Sequence, residues 1–198
     1  LKGLQLARKA ADKADRLLMA ENRYVPESLK YLKKGDILTH IFHGGEKRLL
    51  DEDGEPKPEF FDVIKRGVIL DVGHGAGGFY WKTAEGAFKQ GIKPDTISTD
   101  LHAMNVNGPV YDLPTTMSKF LLLGMSIDEV INATTAKPAE VIGKQGEIGT
   151  LKLGACADLT VFKLKVGTFT FMDAEGEKRI GCQRLIPTNV VLDGRIII

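Results

Sequence analysis

Apolar and polar positions follow two different rhythms along this chain. Leu4, Ala7, Ala11, Ala14 and Leu18 recur at helical spacing, and a helix is expected over residues 2 to 15. Residues 16 to 20 read as a strand end, and 21 to 26 as a loop. Residues 26 to 34 suit a short helix, stopped by Gly35. DILTHI, residues 36 to 41, has the look of a short buried strand. Residues 44 to 58 are a polar loop rich in charge, Gly and Pro. A helix over 59 to 66 stops at Gly67, a strand follows over 68 to 72, and a helix over 80 to 90 stops at Gly91. DTIST, residues 95 to 99, is the next strand. Short strands alternating with helices imply βα units and a parallel sheet.

After Asp100 the rhythm changes. Residues 109 to 114 are a loop. Helices are expected over 115 to 123, 126 to 132 and 135 to 142, and Ser126 with Glu129 three residues on forms a capping-box pattern. From Gly146 onward the signal is β. Strands are expected over 157 to 164, 167 to 171, 178 to 186 and 189 to 192, with Asp193-Gly194 as a hairpin turn before 195 to 198. The chain therefore divides into an α/β part, residues 1 to 145, and a small β part, residues 146 to 198.

Composition narrows the class. A chain of 198 residues buries roughly 70% of its unfolded surface. Lys plus Arg is 27 against 26 for Asp plus Glu, a net charge of +1. That balance leaves no basic footprint for nucleic acid or an acidic membrane. No apolar run reaches the ~20 residues of a membrane span, and the chain does not open on a basic-then-apolar leader. A cytoplasmic location is the expectation. Cys156 and Cys182 stand alone and read as free thiols. The first residue is Leu1, in the middle of an amphipathic pattern, which reads as an internal fragment or a processed chain.

The candidate chemistry gathers at strand ends. All four histidines, His40, His43, His74 and His102, lie within three residues of the carboxyl end of an expected strand, and Asp100 ends TISTD. In a parallel α/β sheet, ligands collect at that edge. Imidazole and carboxylate together suit a zinc-like divalent metal that activates a water. A competing pattern sits in VILDVGHGAGGFYW, residues 68 to 81. Gly73, Gly75 and Gly78 spell G-x-G-x-x-G after a strand and before a helix, with Asp95 and Asp100 near the spacing of a ribose-binding acid. That is the opening of a dinucleotide fold or of an S-adenosylmethionine-dependent methyltransferase. Such a fold needs several more βα units than follow here, and it leaves His40 without a task.

The tail carries a resemblance. GEIGTLKLGACADLTVFKL, residues 146 to 164, and PTNVVLDGRII near the end are similar to the close of metal-dependent hydrolases of the amidohydrolase superfamily. SKFLLLGMSIDEVINATTAKPAEVIG (118 to 143) resembles the helices after the last barrel strand, and PDTISTDLH (94 to 102) resembles the eighth strand. GDILTHIFHG (35 to 44) and GVILDVGHG (67 to 75) resemble the sixth and seventh strands of the dihydroorotase-like and deacetylase-like branch.

The resemblance implies an α/β fold: the C-terminal half of a (β/α)8 TIM-type barrel, strands five to eight, followed by strands of a small β-sandwich. It implies a hydrolase that cleaves an amide or ester of a small molecule with a metal-activated water. His40 and Asp100 would be metal ligands, and Asp100 the general base that passes the water's proton to the leaving group. His74, Gly75, His102 and Asn105 would contact substrate, with His74 also suited to an oxyanion. The superfamily's first-strand H-x-H, fourth-strand lysine and fifth-strand histidine have no counterpart, and Met19 in LMAEN (18 to 22) occupies the last of these places. A thioether does not replace imidazole for such a metal. Three readings follow: a hydrolase, impaired as this piece alone; a non-catalytic barrel module completed by a missing N-terminal half or by its own copy; or the methyltransferase built on the loop from Gly73 to Gly78.

Overall fold

The computed structural model describes residues 2–21, 27–45, 48–51 and 54–198. Its first part is a run of short parallel strands and covering helices. Helix α1 (Lys2–Ala14) leads to strand β1 (Met19–Glu21), which pairs in parallel with β2 (Ile37–Thr39). Helix α2 (Pro58–Lys65) returns the chain to β3 (Ile69–Leu70), parallel to β2. The order is β1-β2-β3. Gly67 and Gly91 end α2 and the next helix, α3 (Trp81–Lys89), each with φ of 74°. Only glycine adopts that turn without steric cost.

Two expected elements come out differently. The helix over 26 to 34 is only a 3-10 turn, Leu29–Tyr31; residues 22–26 lie outside the described residues. Leu29 O accepts from Leu32 N–H and from the Arg66 guanidinium, which also takes the carbonyl of Leu32. The strand over 95 to 99 is reduced to a bridge between Asp71 and Thr96. It still runs beside β3: Val72 N–H donates to Thr96 O at 3.1 Å, and His74 N–H to Ser98 O at 3.1 Å. One regular backbone bond is replaced by a side chain, since Leu70 N–H donates to Asp95 Oδ2 at 2.8 Å.

Helices α4 (Leu113–Leu122), α5 (Ile127–Thr134) and α6 (Ala136–Val141) follow. The capping box at Ser126 and Glu129 is formed on both sides. The core beneath is aromatic. Phe42, Phe79, Phe88 and Phe120 meet at ring-centroid distances of 5.7 to 6.2 Å, and Trp81 packs edge-on to Phe79.

The β part is a long antiparallel ladder. The four expected strands merge into β4 (Leu159–Met172) and β5 (Lys178–Leu192), bulged between Val161 and Phe162 and between Val166 and Phe169. Pro187, which cannot donate to a ladder, sits opposite Phe162 at one of those bulges. Asp193 and Gly194, at φ of 49° and 73°, turn the chain into β6 (Arg195–Ile196), as a two-residue D-G hairpin requires. Much of the ladder's apolar surface is open. Val161, Val166 and Ile180 expose 52%, 75% and 62% of their surface. Among the described residues the ladder has three strands and rests on α4 only along part of one face. Cys156 and Cys182 are exposed, and both are free thiols.

The ladder is tied to the barrel-like part at defined atoms. Ser118 Oγ donates to Pro114 O at 2.6 Å and accepts from Leu185 N–H at 2.9 Å. Asp173, at the hairpin tip after β4, is buried. Its Oδ2 accepts from Trp81 N–H at 2.9 Å, at the start of α3. Its Oδ1 accepts from the N–H groups of Glu175 and Glu177.

Candidate active site

The site is assembled where the parallel strands end. His40 follows β2 directly with φ of 59°, and Asp100 ends the fourth extended segment with φ of 47°. Non-glycine residues adopt this left-handed turn rarely, and such strain gathers at functional sites. The His40 Nδ1 lies 2.5 Å from Gly73 O. A carbonyl only accepts, so Nδ1 carries the proton and Nε2 keeps its lone pair.

The glycines belong to this geometry. A Cβ on Gly73 would stand 2.3 Å from Thr39 Oγ1 and 2.6 Å from His40 Nδ1. One on Gly78 would stand 2.1 Å from Gly73 O, and one on Gly75 2.6 Å from Asp100 Oδ2. The G-x-G-x-x-G spacing therefore makes room for an imidazole and a carboxylate.

His40, His43, Asp100 and His102 line one cavity of about 280 Å³, floored by residues 76–78. Three of the expected site residues, His40, Asp100 and His102, are thus brought together. His43 joins them, a residue to which the sequence assigned no role. His102 is an exposed rim residue whose Nδ1 accepts from Met104 N–H at 3.2 Å. Gly75 lies just behind, against Asp100.

Two expected substrate contacts are enclosed by protein in this structure. Asn105 is fully buried. Its Oδ1 accepts from His102 N–H at 2.8 Å, and its Nδ2 donates to Asp100 O at 2.9 Å. It braces the rim instead of facing a ligand. His74 is also fully buried, stacked on Phe79 with centroids 4.8 Å apart. Its Nδ1 bonds Gly75 O at 2.9 Å, and its Nε2 lies 2.6 Å from Lys119 Nζ. Both ring nitrogens are engaged inside the chain, which leaves neither for an oxyanion. Burial, then the Lys119 charge, pushes the His74 imidazole down to about 3.

Lys119 and Asp71 are the polar residues that sequence reasoning missed. Lys119 Nζ donates to His74 Nε2, to Pro109 O at 3.0 Å and to Met172 O at 2.6 Å. An ammonium has three donors, and all three are used. Burial lowers its pKa to about 7, opposed by the Asp173 carboxylate. Asp71 accepts from Thr39 Oγ1 and Thr96 Oγ1 at 2.6 Å and from Ser98 Oγ at 2.7 Å. It knits three neighbouring segments just below the site. Both residues were detectable in principle. Lys119 stands among apolar residues in MSKFLLLGM, and Asp71 interrupts the apolar run VILDV.

The donor types fit a divalent metal. His40 offers an imidazole nitrogen whose other nitrogen is fixed by a carbonyl, the usual outer-shell arrangement of a metal-ligating histidine. Asp100 offers a carboxylate. Among the described residues no three His, Cys, Asp or Glu side chains converge in metal-holding geometry.

The chain is similar to several known proteins. The amidohydrolase family model matches residues 81–197. A deacetylase of Enterococcus faecalis is 37% identical over 175 residues, covering 87% of this chain and 47% of that protein. A solved adenine deaminase superposes with a TM-score of 0.91 at 35% identity, over 98% of this chain and 54% of that one. A solved dihydroorotase gives 0.85 at 34% identity, over 98% and 52%.

This chain belongs to the amidohydrolase family, whose members are generally divalent-metal-dependent hydrolases on a fold derived from the TIM barrel. It spans about half the length of the relatives it matches.

Proposed function

We propose that the chain is the C-terminal half of a metal-dependent amidohydrolase of deacetylase type, which cleaves an amide or ester of a small molecule. Residues 1–145 supply barrel strands five to eight and 146–198 the sandwich portion. The observation that carries the reading is the shared cavity of His40 and Asp100, each set by a left-handed backbone turn at a strand end. The deacetylase relative supports the reaction class.

His40 and Asp100 would hold a divalent cation, with zinc the fitting ion for this donor pair. When bound, such an ion acidifies a water and polarises the scissile carbonyl. Asp100 would serve as the general base that takes a water's proton and delivers it to the leaving group. His102, on the rim, contacts the substrate, and the side-chain-free floor at residues 77 and 78 admits it closely. β1 carries Met19 and no histidine, so the remaining ligands come from the other half of the barrel. We expect the chain alone to be impaired and to associate with that half or with a second copy. The open sheet edge at β1 and the exposed apolar side chains of β4 and β5 support this.

Elemental analysis after dialysis against micromolar zinc tests the reading, on the chain and on His40→Asn and Asp100→Asn. Both replacements tolerate the left-handed backbone. Zinc retained by the parent chain and lost from both variants is the expected result. Equal zinc in all three would sink it.

A further inference from the structure

We propose that Lys119 is the positioning residue of the candidate site. Through His74 it fixes the glycine loop, and the loop fixes the imidazole of His40. The proposal deepens the reading of His40 as a ligand and rests on it.

The path is short. Lys119 Nζ donates to His74 Nε2 at 2.6 Å. The His74 backbone is held on both sides: its N–H donates to Ser98 O at 3.1 Å, and its O accepts from Gly78 N–H at 3.0 Å. Gly73, the preceding residue, presents the carbonyl that takes the His40 Nδ1 proton. Gly75, the following residue, donates to Thr99 O at 2.9 Å and leaves room for Asp100. Gly73, Gly75 and Gly78 are thus each adjacent or bonded to the residue that carries the buried ring, and the ring is held by the Phe79 stack, the Gly75 carbonyl and one ammonium.

The ammonium is fixed in turn by two other parts of the molecule. Pro109 O belongs to the loop that follows His102, and Met172 O ends β4. Beside it, Asp173 Oδ2 holds Trp81 N–H, and Ala174 N–H donates to Phe79 O at 3.0 Å, just past the glycine loop. The hairpin tip of the β ladder therefore grips the catalytic loop from behind. A neutral aliphatic chain at 119 would fill the same space, yet it would remove one of the two hydrogen bonds of the His74 ring and so loosen the loop that presents the Gly73 carbonyl.

The test reads the His40 ring directly. Long-range proton–nitrogen spectra of the imidazoles would be recorded on the parent chain, Lys119→Met, His74→Phe and His74→Gln. The parent chain should show His40 as the neutral Nδ1–H tautomer. His74→Phe keeps the stacking on Phe79 and removes the acceptor, so it should shift His40 towards mixed tautomers. His74→Gln restores an acceptor for Nζ and should restore the parent signature. If Lys119→Met does not fold, the His74 pair decides. An unchanged His40 signature in a folded His74→Phe overturns the proposal, as does an Nε2–H tautomer in the parent chain. Zinc titration separates the two readings. A tenfold or greater loss of affinity is expected in His74→Phe, the size typical of removing an outer-shell partner. Equal zinc binding by the parent chain and His40→Asn would refute His40 as a ligand, while the tautomer spectra would still decide the role of Lys119.

Discussion

The mouth of the parallel sheet and the layer behind the glycine loop are built from the same residue types and treat them in opposite ways. At the mouth, His40, His102 and Asp100 face one cavity, and Asp100 and His102 are exposed. Behind the loop, His74, Lys119, Asp71 and Asp173 are buried, and their polar atoms are met by partners from several segments. Strain also separates the two layers. The left-handed turns of His40 and Asp100 lie at the mouth, where reach matters. A buried polar group is costly unless satisfied, and once satisfied it specifies a single arrangement. The mouth is therefore free to serve a ligand because the layer behind it is already committed.

Removing a member of the hidden layer should have the largest effect. Lys119→Met leaves His74 Nε2, Pro109 O and Met172 O without their donor. Each orphaned buried acceptor costs about 1–3 kcal/mol, so a loss of about 4 kcal/mol is expected in urea unfolding. A loss below 1 kcal/mol would erase the distinction between the layers.

Acid should come next. The folded His74 imidazole titrates at about 3, below the ordinary 6.5. The unfolded chain takes the proton first, so stability present above pH 6.5 is lost as pH falls towards 3. The slope is about 1.4 kcal/mol per pH unit, which gives about 2 kcal/mol between pH 7 and pH 5. Lys119, lowered to about 7 from 10.5, has the same sign in its own window: stability rises with pH between 7 and 10.5. Urea unfolding at pH 7 and pH 5 checks the His74 effect, and the difference should shrink in His74→Phe.

Asp71→Asn sharpens the comparison within the hidden layer. The amide keeps one acceptor oxygen for the three hydroxyls of Thr39, Thr96 and Ser98 and turns a donor on the rest. About 2 kcal/mol is the expected cost, by the same unfolding measurement. Ser126→Ala provides the surface reference. It removes a formed capping box at the exposed start of α5 and should cost about 1 kcal/mol.

Much of this contrast was hidden from the sequence for a physical reason. The capping box at Ser126 and the helix stops at Gly67 and Gly91 are local, and they appear where the pattern puts them, whereas the helix over 26 to 34 and the strand over 95 to 99 are shortened. The mouth residues were legible because strand ends in a parallel sheet share one edge. Lys119 and His74 are 45 residues apart in sequence, and no local pattern shows that an ammonium will meet an imidazole. His74 reads like His40, a histidine after an apolar strand. Only the packing of Phe79 and α4 turns it inward. The exposure of the ladder was equally illegible, because alternation shows which side chains share a face and says nothing of whether that face is covered.

The smallest effect on stability should come from the residue on which the functional reading depends most. In His40→Asn the amide retains a donor for Gly73 O, and asparagine is among the few residues that accept the φ of 59° found there. The side chain is only half-buried, so little packing is lost. Less than about 1 kcal/mol should separate the variant from the parent chain in urea, within the range of one ordinary hydrogen bond. The imidazole Nε2 is gone, however, and zinc binding should be lost with it. A variant as stable as the parent and unable to hold zinc would place His40 wholly on the ligand side of the comparison. A variant that loses 3 kcal/mol would move His40 into the hidden layer beside His74, where its bond to Gly73 serves the fold.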